Sequence, residues 1–243
     1  MAEDEPVFET STGPPRIITA ASLFDGHDAA INVMRRLIQS SGAEVIHLGH
    51  DQSAKAVVDC AIQEDAHGVA LTSYQGGHVE YFTYIRQLLD EAGCQHIKIF
   101  GGGGGTITPP EIKTLHESGI SKIYSPDDGR AMGLMGMIHH LMGLASEVDL
   151  VNPARLDTLN SPITAEEMAR VGLLLTMSES ADDTTFKATL ETCRSSDKEV
   201  PVIGFTGTGG AGKSSLLDEL MLRILRCLLY TSDAADDMAS VFI

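Results

Sequence analysis

The chain has 243 residues, 43% of them hydrophobic and 21% charged, enough apolar material for one large or two small packed domains. A formal net charge of −17 argues against nucleic acid and anionic membrane surfaces as partners, because both would repel it. There is no apolar run of about 18 residues and no basic-then-apolar leader, and the four cysteines (Cys60, Cys94, Cys193, Cys227) lack metal-like spacing; these features predict a cytoplasmic protein with reduced thiols.

Residues 1–15 are polar, end in two prolines, and read as a disordered leader. A regular alternation begins at Arg16. RIITAASLF is a buried-strand run that stops at Asp25-Gly26, and residues 28–41 place Ala30, Met34, Leu37, Ile38 and Ser41 at helical spacing. Residues 43–49 are the next strand and 53–64 the next helix. GVALTSY (68–74) is a third strand, followed by a helix over 78–91 that Gly93 closes. IKIF (97–100) runs into Gly101–Gly105, and Pro109-Pro110 opens a helix to about residue 118. Residues 121–124 form a fifth short strand, and 129–145 a methionine-rich helix. Repeated strand–helix units predict an α/β, flavodoxin-like, Rossmann-like fold: a five-stranded parallel sheet with strand order 2-1-3-4-5.

Residues 147–199 are less regular and read as a helical linker, with helices over 161–175 and 184–193. VPVIGFTG (200–207) then predicts another strand, leading into a glycine-rich loop and a helix from Lys213. Only one βα unit of this second domain, residues 200–226, is present. Residues 227–243 break the helical pattern and resemble a translated adapter read, a non-native tail.

In an open parallel sheet, ligands bind beyond the carboxyl ends of the strands at the switch point. Three features fall there: Asp25-Gly26-His27 after strand one, Ser73-Tyr74-Gln75-Gly76-Gly77-His78 after strand three, and the glycines from Gly101 after strand four. Each has a bland reading. Asp25 could cap a helix, His27 could be a surface histidine, and glycines make turns. Their convergence on one edge points instead to a large flat ligand reached by one imidazole. A single histidine cannot hold a free metal ion tightly, but it can be the axial ligand of a metal carried by a macrocycle. Asp25 could fix its tautomer by accepting the other ring N–H.

These residues resemble the cobalamin-binding signature Asp-x-His-x-x-Gly, Ser-x-Leu, Gly-Gly of the methylmalonyl-CoA mutase and methionine synthase family. The resemblance implies that His27 is the lower axial ligand to cobalt and Asp25 its partner. It further implies that Gly26, Ser73, Tyr74, Gln75, Gly76, Gly101, Gly102 and Gly103 contact the cofactor, with Ser73 and the first two of those glycines of the run lining the tail pocket. Ala30 departs from the signature's second glycine, and Ser73-Tyr74-Gln75 from Ser-x-Leu. The resemblance covers residues 16–226, with 16–146 as the cobalamin-binding domain.

Gly207, Gly209, Gly210, Gly212, Lys213 and Ser214 fit a phosphate-binding loop, G-x-x-x-x-G-K-[ST]. Backbone N–H groups would cradle phosphates, Lys213 would reach the β/γ-phosphates, and Ser214 would hold magnesium. With this loop downstream, the chain is similar to the fused acyl-CoA mutases that convert isobutyryl-CoA to butyryl-CoA. That likeness implies adenosylcobalamin, GTP and magnesium as cofactors, a GTPase chaperone domain, an acyl-CoA bound in a separate barrel, and a homodimer when intact. The fragment alone is then expected to bind cobalamin and catalyse nothing. The alternatives are a corrinoid carrier for methyl transfer or a stand-alone cobalamin subunit of methylmalonyl-CoA mutase. A phosphoacceptor receiver is disfavoured by Ser73 and Ser125-Pro126 where it needs Asp and Lys, and a flavodoxin by the absence of a hydroxyl-rich loop after strand one.

Overall fold

Ile17, Ile18, Ala20 and Ala21 are all fully buried, so the first strand is covered on both faces, as in a sheet with helices on each side. The computed structural model describes residues 6–164, 166–194 and 203–228. Five strands alternate with five helices: β1 (Arg16–Ser22), α1 (Asp28–Ser40), β2 (Glu44–Gln52), α2 (Ala54–Gln63), β3 (Gly68–Thr72), α3 (His78–Glu91), β4 (Lys98–Gly102), α4 (Pro109–Glu117), β5 (Lys122–Tyr124) and α5 (Pro126–Ser146). All pairings are parallel and the strand order is β2-β1-β3-β4-β5, as the alternation predicts.

The pleat sorts the core into two layers. Ile17, Ala70 and Phe100 pack with Ile38 of α1 and Ile138, Leu141 and Met142 of α5. Ile18, Val69, Leu71 and Ile99 pack on the other face with Val57 of α2 and Phe82, Ile85 and Leu89 of α3. Gly68 is needed where the layers are tightest, since a Cβ there would lie 2.9 Å from the Phe100 ring.

Strand ends differ from the sequence expectation at the functional edge. β1 stops at Ser22 and β3 at Thr72, each two residues early, whereas β4 runs on through Gly101 and Gly102. Phe24 takes a left-handed φ of 63°, which ends β1. The methionine-rich helix starts at Pro126 under a capping box of Ser125 and Asp128, and Gly133 (φ 68°, ψ 175°) breaks it.

Two expectations are revised. Residues 6–15, expected to be disordered, are tethered where Phe8 packs on the α1/α5 layer and the Ser11 hydroxyl donates to Asp149 at 2.7 Å. The segment expected to be a helical linker is helical, as α6 (Pro153–Leu156), a 3₁₀ turn (Asp157–Leu159), α7 (Met168–Ser180) and α8 (Asp183–Cys193), but it packs around its own core of Leu159, Ile163, Leu173, Met177 and Cys193. α7 docks on α2 so closely that a Cβ on Gly172 would sit 2.8 Å from the Ile62 carbonyl. Buried Asp65 receives Arg155 at 2.6 Å and the Thr176 hydroxyl at 2.8 Å, while Arg16 donates to Thr176 at 2.9 Å.

The predicted strand over 200–207 is absent from its described part: residues 203–207 carry no strand. A parallel strand needs a neighbour to satisfy its backbone, and none pairs with it among the described residues. α9 (Lys213–Leu228) follows as predicted. No helix among the described residues is long and apolar enough to cross a membrane. Of the tail expected over 227–243, residues 227 and 228 continue α9 rather than breaking the helical pattern, and 229–243 lie outside the described residues, as do residues 1–5 of the leader.

Candidate functional site

Asp25 follows β1 in a tight turn, its amide donating to the Ser22 carbonyl at 3.0 Å. Its side chain is fully buried although the next residues are exposed. Both carboxylate oxygens are used. Oδ1 accepts the His27 amide at 2.9 Å and His27 Nδ1 at 2.8 Å, and Oδ2 accepts the Tyr74 amide at 2.6 Å. Burial alone would raise the Asp25 pKa, but the amides of Tyr74 and His27 and the imidazole hold it below the ordinary carboxylate range. The helix-cap reading fails on geometry. The N-cap of α1 is His27, which makes no side-chain cap bond, and Asp25 holds that residue's own N–H instead.

An ionised carboxylate only accepts, so His27 Nδ1 carries the proton and Nε2 keeps its lone pair. The ring is 64% exposed and leans toward Tyr74, with ring centroids 5.6 Å apart. The result is a solvent-facing imidazole of fixed tautomer on a buried carboxylate. Among the described residues, no group of three or more His, Cys, Asp or Glu is placed to hold a bare metal ion.

Beside this pair an apolar groove runs along the sheet between α1 and α5. It is lined by Ile31, Met34, Thr72, Gly102, Tyr124 and Met137, among others. Thr72, which sequence reasoning passed over, is buried in this lining, and its hydroxyl has no hydrogen-bond partner. Period-two alternation from Ala70 was the available signal, since both side chains share the α1/α5 face. The adjacent Ser73 is placed differently: its hydroxyl oxygen accepts from Ser22 at 2.9 Å, and it is not part of the groove lining.

The glycines divide by role. A Cβ on Gly101 would lie 2.4 Å from the Phe82 ring, so this residue is small in order to let α3 pack, and it also lines the groove beside Gly102, as expected. A Cβ on Gly103 would fall 2.0 Å from the Ser73 carbonyl, so it is small to let the β3 and β4 loops touch. Gly102 has only an ordinary 3.5 Å contact, with the Tyr124 carbonyl, and its missing side chain is what leaves the groove open. Its carbonyl accepts the Ser73 amide at 2.9 Å. Gly26, Gln75 and Gly76 sit exposed or open around the rim, and the Gln75 carbonyl lies 3.2 Å from His78 Nδ1.

The phosphate-loop residues are not part of this cluster. Gly207, Gly209, Gly210 and Gly212 are exposed, with φ near +78° at Gly210 and +77° at Gly212. Lys213 Nζ donates to the carbonyls of Gly207 and Thr208 at 2.8 and 2.9 Å, and Ser214 opens α9 beside it.

A family model described as the B12 binding domain matches residues 15–124. A fused isobutyryl-CoA mutase of Geobacillus kaustophilus is 49% identical over 217 residues, 86% of this chain and 20% of its own length. One from Cupriavidus metallidurans is 51% identical over 210 residues, 86% of this chain and 19% of its own. The 2-hydroxyisobutanoyl-CoA mutase small subunit of Aquincola tertiaricarbonis is 33% identical over 115 residues, 47% of this chain but 82% of its own length. The chain thus spans about a fifth of the length of the fused relatives it matches.

Proposed function

This chain belongs to the B12-binding family of the acyl-CoA mutases, and from that premise we propose that it is the adenosylcobalamin-binding part of a longer mutase that rearranges isobutyryl-CoA to butyryl-CoA. The observation that carries the reading is the buried Asp25 carboxylate, which holds His27 Nδ1 on one oxygen and the Tyr74 amide on the other. His27 Nε2 would then be the nitrogen offered to cobalt, and Asp25 would fix its tautomer. The groove between α1 and α5 would hold part of the cofactor, with Gly102 leaving room and the unpartnered Thr72 hydroxyl free to hydrogen-bond to it. Ser73 supports the loop through Ser22 and Gly102.

When bound, the cofactor supplies radical carbon-skeleton chemistry, and the protein's share is to orient it. The acyl-CoA belongs to a barrel in the longer protein, which we take to be a cytoplasmic homodimer. In that protein Gly207–Ser214 serves GTP, with Ser214 on magnesium and Lys213 exchanging its loop carbonyls for phosphate. The fragment itself is assigned binding and no turnover. Its cofactor domain is assigned to 16–146, and its partial GTPase unit to 200–226.

Electron paramagnetic resonance of cob(II)alamin on the full chain tests the reading. A single axial nitrogen splitting that changes with ¹⁵N-histidine labelling and vanishes in His27→Ala is expected. Splitting indifferent to the label would overturn it.

A further inference from the structure

Three loops meet at the carboxyl edge of the sheet, and a buried histidine ties two of them together away from the cobalt-side pair. His78 is the first residue of α3 and is 6% exposed. Its Nδ1 lies 3.2 Å from the Gln75 carbonyl, which closes the β3–α3 loop on itself. Its Nε2 lies 3.2 Å from Glu111 Oε1 without a formed hydrogen bond. Glu111 Oε2 in turn accepts the Thr108 amide at 2.7 Å and the Thr108 hydroxyl at 2.6 Å. These bonds, hydroxyl first, hold the Glu111 carboxyl down at about 2, so it is ionised and faces the ring as a negative charge.

Thr108 ends the loop that begins with the glycines, so Glu111 reports on where that loop finishes. At the loop's start, the Ser73 amide bonds to Gly102, and the Tyr74 amide bonds to Asp25 at 2.6 Å. A continuous path therefore runs from His27 through Asp25, Tyr74, Gln75, His78 and Glu111 to Thr108. Both ring nitrogens of His78 face oxygen acceptors.

Resting on the cobalamin reading above, we propose that His78 and Glu111 are a positioning pair that sets the spacing of the β3 and β4 loops and thereby the orientation of His27. Neither touches the cofactor in this assignment. Without the pair, the β3–α3 loop is held at one end only, the Tyr74 amide leaves Asp25, and the imidazole loses its fixed tilt. Outer partners of a metal-bound histidine act in this way, through the ligand's geometry.

The test uses the full chain with His78→Ala, His78→Gln and Glu111→Gln, titrated with cob(II)alamin by visible absorbance and read by electron paramagnetic resonance at saturation. His78→Ala is expected to weaken binding about 10-fold and to add a species lacking the axial nitrogen splitting. Glu111→Gln should move the same way but less, and His78→Gln should recover most of the wild-type signal, because its amide can still donate to the Gln75 carbonyl. A His78→Ala protein that binds within twofold of wild type with an unchanged spectrum overturns the proposal, even if its melting temperature falls. If wild type itself lacks the ¹⁵N-dependent splitting, the cobalamin reading falls and takes this pair with it; if wild type has it and the variants match, only the pair falls.

Discussion

Asp25 shows how far one side chain can be argued. Its two oxygens serve two different loops, so Asp25→Asn keeps the shape but puts an amide N–H against one donor. Loss of tautomer control at His27 should weaken cobalamin binding by roughly 10–100-fold, measured by absorbance titration, with little change in the far-ultraviolet dichroism. Two adjacent glycines make a sharper contrast. Gly103→Ala forces a Cβ onto the Ser73 carbonyl and should destabilise the fold by about 2–3 kcal/mol in urea melts. Gly102→Val meets no such wall and should melt within about 0.5 kcal/mol of wild type, yet it fills the groove and should depress cobalamin affinity at least tenfold. Equal stability losses in the two variants would contradict this division of roles. The residue pattern made Asp25 and His27 legible because they stand two residues apart in one turn and are polar at a strand end. It did not reveal that Thr72 rather than Ser73 faces the groove, since that depends on where β3 stops, and strand ends are set by tertiary pairing.

At the level of elements, the sheet and its five helices were legible because buried parallel strands are unbroken apolar runs bounded by glycine and polar turns. The docking of α6–α8 was not, because it rests on polar groups whose partners are about 90 to 160 residues away. Arg155 reaches Asp65 and Arg16 reaches Thr176, and no local periodicity announces either. His67 belongs to the same cluster. Its Nδ1 accepts the Arg16 amide at 3.0 Å, its Nε2 is buried without a partner, and burial, then the Arg16 charge, push its pKa down to about 4. The unfolded chain protonates this ring near 6.5 and the folded one near 4, so between those values the unfolded state binds more protons and stability rises with pH. Acidifying from pH 7 to pH 4.5 should therefore cost up to roughly 3 kcal/mol at this residue. His67→Gln keeps an acceptor for Arg16 and should flatten that part of the stability–pH curve, measured by urea denaturation at stepped pH. An unchanged slope would remove His67 from the account.

For the whole molecule, the question is where the cofactor-binding unit ends. Sequence patterning places the boundary at residue 146, where the strand–helix alternation stops, but the energetic boundary lies later. Asp65 is buried with a left-handed φ of 46°, and burial alone would raise its pKa. His96, then Arg155 and Thr176, hold it low instead. Two of those three partners come from beyond residue 146, so a protein cut there loses the Arg155 and Thr176 contacts to Asp65. The face of α2 that receives Gly172 would be uncovered as well. Residues 203–228, by contrast, make hydrogen bonds only within their own loop and helix among the described residues, and should add nothing to the stability of the sheet. Three proteins separate these possibilities: 6–146, 6–194 and the full chain. The second and third should melt together, and the first should melt roughly 10 °C lower. If 6–146 melts with the others, α6–α8 are a passive connector after all, and the Asp65 cluster contributes nothing to holding the cofactor domain together.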